Sequence, residues 1–373
     1  MRVLVMIDSF KGTMTSTNLG EIMTQELKKK RITATYLPIS DGGDGFLEAL
    51  ATTVRGRRVP VTAKDPLGRP INTFFLFDEA NAAAYLELAK ISGINLVQEE
   101  ELNPLYASTF GLGEVARSAL NLGAKQIIVG IGGSATNDGG AGMAEALGCC
   151  FYDKYGRLIV GLNGEKLAAV AKIDHALMES NINSAYWTVL SDVDNPLLGP
   201  RGAAYVYAPQ KGANHAAVKR LEANMTRYAS VVEAAVGTEC KNAPGAGAAG
   251  GVGFAFHAFF KADFYSGIDY LLRLIDFKNL IEDYDCIITG EGKIDCQSFY
   301  GKAVSAVIRE AADKRLLLVC AVNELKKATM QKHNIHKIHQ IVGNIATLEA
   351  SLAFPEKYFR MLSRQVAADL TGQ

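Results

Sequence analysis

The chain has 373 residues, 49% of them hydrophobic and 21% charged, which allows two domains and a sizeable core. Lys plus Arg equals Asp plus Glu at 39 each, so the formal net charge is zero and gives no global electrostatic case for nucleic acid or an anionic membrane. No apolar run is long enough to span a bilayer, and the six cysteines include the adjacent pair Cys149 and Cys150 but no C-x-x-C, which fits neither a disulfide framework nor a zinc site. Buried free thiols, and with them a reducing cytoplasmic location, are the expectation.

Residues 1–7 form an apolar run that stops at Asp8. It is too short and wrongly flanked for a signal peptide, and predicts a buried first strand. The loop Asp8-Ser9-Phe10-Lys11-Gly12 leads to a helix whose apolar face is Leu19, Ile22, Met23 and Leu27, at helical spacing. A strand over 33–39 ends in Ser40-Asp41-Gly42-Gly43-Asp44-Gly45 and precedes a helix over 46–53. Strand and helix alternate, so a parallel sheet is predicted.

From about Arg57 the pattern changes. Strands over 59–63 and 71–77 are joined through Asp65-Pro66-Leu67-Gly68-Arg69-Pro70, the entry to a second domain. There follow a helix over 112–122, a strand over 126–131, the Gly-rich loop 132–142 and a helix through Leu147. A strand over 187–190 ends in Ser191-Asp192-Val193-Asp194-Asn195-Pro196, and 219–236 is a helix. Segment 244–253 is the most Gly-rich of all, either a hinge or a loop packed close to a ligand. A strand over 286–289 runs into Gly290-Glu291-Gly292-Lys293, and a helix over 303–312 and a strand over 316–322 continue the parallel pattern. The order predicts an α/β protein. Its parallel-sheet domain is drawn from both chain ends, 1–60 plus 240–373, around an inserted mixed α/β domain at 61–239.

The strongest chemical signal is that Asp8, Asp41, Asp44, Asp192 and Asp194 all stand at predicted strand ends, where ligands bind in open α/β sheets. Carboxylates there can hold Mg²⁺ or accept a hydroxyl proton, and a kinase needs both, with Lys or Arg to offset phosphate charge. Asp and Gly are also ordinary turn residues. Yet the 132–142 loop sets five glycines around Ser134, Thr136, Asn137 and Asp138, more than a plain turn needs. Lys11, Arg69 and Lys211 each read equally as anion binders or as surface cations. No P-loop or nucleophile elbow occurs, and Gly245-x-Gly247-x-x-Gly250 lacks the preceding apolar strand a dinucleotide site requires. His333, His336 and His339 recur every third residue beside Ile335, Ile338 and Ile341, which predicts an amphipathic segment with solvated histidines.

Six of these stretches resemble the bacterial type I glycerate kinase family, in family order over about residues 1–322. They are Asp8 to Gly12, Asp41 to Gly45, Asp65 to Arg69, Gly132 to Gly140, Ser191 to Leu197, and Gly290-Glu291-Gly292-Lys293-Ile294-Asp295-Cys296-Gln297-Ser298. The resemblance implies magnesium-dependent transfer of the ATP γ-phosphate to D-glycerate, mostly giving 2-phosphoglycerate, in organic-acid metabolism of the glyoxylate type. It also implies a flavodoxin-like domain and an inserted domain likened to restriction-enzyme folds, with the active site in the cleft between them. Small-molecule partners are expected, with no nucleic acid and no membrane, and a homodimer is left open. After residue 322 the chain departs from the family's Gly-containing turn, reading Asn323-Glu324-Leu325-Lys326.

The expected roles follow. Arg69 and the loop residues Ser134, Thr136, Asn137 and Asp138 hold the glycerate carboxylate. Asp192 or Asp194 takes the hydroxyl proton, and Lys11 meets the phosphates. Asp8, Asp41 and Asp44 are magnesium candidates, while Gly290, Glu291, Gly292, Lys293, Gln297 and Ser298 line the nucleotide site. A kinase for another small hydroxy acid and a non-catalytic sensor of glycerate or ATP are the alternatives.

Overall fold

The computed structural model describes residues 1–40, 42–51, 53–295, 298, 303–311, 313–325, 330 and 333–372. They divide into two compact units, the first of Met1–Asp41, Glu48–Thr53 and Ser266–Gln373, the second of Gly42–Leu47 and Val54–Tyr265. The first unit opens with β1 (Arg2–Ile7) and β2 (Thr33–Tyr36). The second supplies β3 (Arg57–Lys64), β4 (Pro70–Asp78), β5 (Ala83–Glu87) and β6 (Gln126–Gly130). It continues with a small sheet of β7 (Cys150–Tyr152), β8 (Leu158–Ile159) and β9 (Lys172–Asp174), then β10 (Tyr186–Leu190) and β11 (Asp263–Tyr265). The chain returns to the first unit with β12 (Cys286–Ile294), β13 (Arg315–Asn323) and β14 (Ile335–Gln340).

In the first unit the strands lie in the order β14-β13-β12-β1-β2, every neighbouring pair parallel. Counted within the unit, that is the doubly wound order of flavodoxin, whose switch point falls between β1 and its neighbour β12. Val3, Val5, Ile7, Ile288, Leu317 and Val319 present one apolar face. The helix Ser16–Lys29 covers it with Leu19, Ile22, Met23 and Leu27, the face its sequence spacing predicts. The helix Pro355–Thr371 covers the rest with Phe359, Leu362 and Val366.

Glu26 joins these two helices. Its buried carboxylate receives Lys29 Nζ at 2.7 Å, Arg360 Nη1 at 3.2 Å and Arg364 Nε at 3.2 Å. Burial alone would raise its pKa, but the three cations hold it below the ordinary value. The stability it contributes is therefore present above the ordinary glutamate pKa and lost as pH falls through the depressed one. Glu26→Gln is expected to cost about 1–3 kcal/mol at neutral pH. Paired denaturant melts at falling pH check this, because the gap from the parent should close in acid.

The histidine expectation is corrected at one position. Strand β14 alternates its side chains in two directions, so His336 is exposed, while His339 is buried with Nε2 3.5 Å from Asp369 Oδ2.

The second unit's main sheet runs β11-β10-β6-β5-β4-β3. It is parallel from β11 to β5, and β4 and β3 add as an antiparallel hairpin. Asp65 builds the hairpin turn by accepting from the N–H groups of Leu67 and Arg69, at 2.8 Å each. Residues 240–265, expected in the first domain, run in the second unit because β11 pairs with β10. Among the described residues no helix is long and apolar enough to cross a membrane.

The Gly-rich segment 244–253 lies within the second unit and packs on the 136–139 loop. Ala249, Gly250 and Gly251 are left-handed, with φ of 53°, 69° and 90°, and the backbone there lies directly on the 136–139 loop. A Cβ on Gly250 would stand 2.0 Å from the Thr136 carbonyl oxygen. Gly250→Ala therefore forces two backbones apart at an unfavourable φ, and should cost about 1–3 kcal/mol. A thermal melt with the parent as control measures it.

Candidate functional site

In the second unit the hydrogen-bond register sets the ends of four strands in one row. Glu87 pairs with Gly130, Gly130 with Leu190, and Leu190 with Tyr265. The segments 88–95, 131–142 and 191–196 thus leave the sheet from one edge, the carboxyl edge where α/β sheets bind ligands.

Segment 42–47 docks on that edge. Buried Glu87 accepts from the N–H groups of Gly45 at 3.1 Å and Leu47 at 2.9 Å, satisfying donors at the start of the helix Phe46–Ala51. Gly132 donates to the Gly42 carbonyl at 3.2 Å, and a Cβ on Gly132 would stand 2.6 Å from Gly43 Cα, so this crossing requires glycine. Asp44 is exposed and accepts from Asn95 Nδ2 at 3.1 Å. A Cβ built on Gly133 would be 3.6 Å from either Asp44 carboxylate oxygen, so the 133–134 turn and Asp44 share one mouth.

The expected substrate loop splits into an outer and an inner part. Gly133 is exposed and Ser134 is just beneath the surface, whereas Thr136, Asn137 and Asp138 are all 0% exposed. Those three shape the loop from beneath its outer turn. Asp138 accepts from Thr109 N and Thr109 Oγ1 at 2.8 Å each, Gly140 N at 3.1 Å and Gly142 N at 3.2 Å. Burial raises its carboxyl above the ordinary range against the pull of those four donors. Thr136 Oγ1 and Asn137 Oδ1 are buried without a hydrogen-bond partner, so the loop is held in place at a cost.

Lys211, ambiguous in the sequence, is the cation the structure brings to this loop. It is 2% exposed, and its Nζ donates to Ser134 Oγ and to the Thr136 carbonyl, at 2.7 Å each. Burial pushes its pKa down to about 7, opposed by the charge of Asp138. Arg69 makes its hydrogen bonds elsewhere. Its guanidinium is engaged by Asp65 Oδ2 at 2.6 Å, both Glu101 carboxylate oxygens at 3.0 Å and the Leu96 carbonyl at 3.3 Å. A second ligand carboxylate would have to displace that network, so the fork supports the hairpin turn.

Asp192 and Asp194 leave the row's edge immediately after β10, and both are exposed. Ser191 N bonds the Tyr265 carbonyl at 3.0 Å, anchoring the start of this loop. Asp194 pairs with Arg201 at 3.3 Å, an exposed contact that solvent screens.

The first unit gathers its own set at the switch point. Asp8 N donates to the Gly290 carbonyl at 2.8 Å, and a Cβ on Gly292 would lie 3.5 Å from Phe10 Cα. The Asp8–Gly12 loop, with Lys11 exposed, therefore stands beside Gly290, Glu291, Gly292 and Lys293. Lys293 pairs with Glu324 at 2.9 Å and lies 3.8 Å from Asp295. The unusual turn after residue 322 thus puts a carboxylate on this lysine. Ser298 is buried, with Oγ accepting from Asp295 N at 3.1 Å, so it closes a turn. Gln297 and Asp41 lie outside the described residues.

Asp8 and Asp44 fall in different units, so neither unit by itself assembles the expected magnesium trio. Among the described residues no three or more His, Cys, Asp or Glu side chains form a ready metal cage. The donors at the switch point are oxygen alone, from Asp8 and Glu291. One or two carboxylates suit magnesium, which retains waters and takes phosphate oxygens as its other ligands.

The model of the glycerate kinase family matches residues 3–371. A Bacillus subtilis (strain 168) protein named glycerate kinase is 36% identical, the match covering 99% of this chain and 98% of that one. An Escherichia coli (strain K12) protein named glycerate 2-kinase is 34% identical, over 99% and 98% of the two chains. A crystal structure from Salmonella typhimurium LT2, described as a candidate glycerate kinase 2, superposes with a TM-score of 0.82 at 34% identity, covering 100% of this chain and 98% of that one.

Proposed function

The chain belongs to the glycerate kinase family, and from that premise we propose that it transfers the γ-phosphoryl group of ATP to the 2-hydroxyl of D-glycerate. The observation that carries the acceptor half is the row of strand ends in the second unit. It sends the Ser134 turn and the Asp192 loop out of the sheet along one edge.

Glycerate offers a carboxylate and two hydroxyls. The outer turn of the Gly-rich loop, Gly133 and Ser134, supplies backbone N–H groups and one hydroxyl to the carboxylate. This narrows the expected contact from the whole 134–138 loop to its accessible end. Asp192 receives the proton of the attacking hydroxyl, as a positioned carboxylate does in phosphoryl transfer. Asp194, in an exposed pair with Arg201, is the second candidate.

In the first unit, Lys11 and Lys293 meet the nucleotide phosphates, Lys293 by exchanging Glu324 for phosphate oxygen. Asp8 and Glu291 would hold magnesium. When bound, that ion offsets charge on the phosphates. Gly290 sits within β12, against β13, so it shapes the floor of this site.

The test is ADP release from ATP and magnesium with D-glycerate, L-glycerate, other small hydroxy acids or no acceptor. Turnover with D-glycerate well above every other acceptor is the expected result. A faster reaction with another hydroxy acid, or ATP binding without turnover, would overturn the assignment.

A further inference from the structure

Lys211 carries chemistry that the family assignment leaves unexplained. A lysine ammonium has three donors and no acceptor, so each of its hydrogen bonds has a fixed direction. Its side chain is almost completely buried. Its two acceptors belong to one loop, Ser134 Oγ and the Thr136 carbonyl, both at 2.7 Å. A buried charge costs several kcal/mol unless it is compensated.

The direction of the Ser134 bond has a consequence. Because Ser134 Oγ accepts from Lys211, its own hydrogen is not spent on that contact. It remains available to another acceptor, and Lys211 polarises the hydroxyl that carries it. Ser134 adjoins exposed Gly133 and the mouth beside Asp44, where an anionic acceptor oxygen can reach it. The second bond, to the Thr136 carbonyl, fixes the loop so that the hydroxyl stays aimed.

We propose that Lys211 is a positioning residue for substrate binding: it holds Ser134 as an outward-directed, polarised donor to the carboxylate of the acceptor. This rests on the assignment of Gly133 and Ser134 to that carboxylate. Lys211 does not touch the substrate and acts through Ser134.

The charge state supports the same mechanism. Asp138 is the ionisable group whose charge acts on Lys211, and it favours the ammonium, while burial brings the lysine to about 7. Above that pH the neutral amine becomes an acceptor. It can then take the Ser134 hydrogen, withdrawing the donor from the substrate.

The experiment is steady-state kinetics on the full chain for the parent, Lys211→Met, Ser134→Ala and the double variant, with glycerate and ATP each varied. Lys211→Met should raise the glycerate KM roughly ten- to hundredfold. It should leave the ATP KM within about twofold, and should add little in the Ser134→Ala background. In the parent, the glycerate KM should rise as pH passes about 7, and in Ser134→Ala it should stay flat. Additive losses in the double variant, or equal losses in both KM values and kcat, would overturn the proposal. If Lys211→Met does not fold, the pH profiles of the parent and Ser134→Ala decide it, and parallel profiles reject it. A Ser134→Ala protein with unchanged glycerate KM would instead overturn the underlying carboxylate assignment.

Discussion

Replacing Asp138 by alanine is expected to destabilise the protein by about 3–5 kcal/mol, the range for removing one partner from a buried charged network. The carboxylate is fully buried and serves four donors from two segments, Thr109 on one side and Gly140 and Gly142 on the other. Its loss strands all four in the interior at once. It also removes the charge that favours the ammonium form of Lys211. Denaturant melts of Asp138→Ala and Asp138→Asn test this. The asparagine keeps the volume but brings an amide N–H₂ towards groups that are themselves donors, so it should recover only part of the loss. A melt close to the parent's for both variants would mean that the loop is held by something other than Asp138.

The second large effect is on turnover. Asp192→Asn should lower kcat by about 10²- to 10⁴-fold, the usual range for removing a general base. The glycerate KM should move little, because carboxylate binding is assigned to Gly133 and Ser134. Asp194→Asn is the internal control. Its carboxylate already faces Arg201 in an exposed pair, so a loss under about tenfold is expected. Folding is not at risk in either variant, since both side chains are exposed. A folded Asp192→Asn enzyme with near-parent kcat would remove Asp192 from the proton-transfer role.

Much of this was legible in the chain, because apolar periodicity reports burial directly. The spacing of Leu19, Ile22, Met23 and Leu27 specified the covering face of the first helix, and the apolar run before Asp8 specified the first strand. The loops were legible for a different reason. Glycine at 42 and 132 is required where two backbones cross at a strand end, and such crossings are rare in plain turns.

What was not legible depends on contacts distant in sequence. Nothing in Ala-Pro-Gln-Lys-Gly-Ala says that Lys211 is buried, since its acceptors lie about 75 residues earlier. Arg69 had the residue type of a carboxylate clamp, but its partners Asp65 and Glu101 belong to its own unit. Thr136, Asn137 and Asp138 have polar side chains in a loop, and only packing shows them buried beneath residues 249–251. Glu87 was missed although one signal was present, a lone charge at the end of the apolar run 83–88. The every-third spacing of the histidines suggested one polar face, but a strand turns its side chains with a period of two, which buried His339.

The assignment stands or falls on which atom is phosphorylated and from which donor. The most direct measurement is proton-coupled ³¹P NMR of the product formed from ATP, magnesium and D-glycerate. A phosphate on the 2-oxygen couples to the single hydrogen of carbon 2, so a doublet that grows as ADP appears is expected. A triplet, from the two hydrogens of carbon 3, would contradict the 2-position, and no new phosphate ester at all would contradict glycerate as the acceptor.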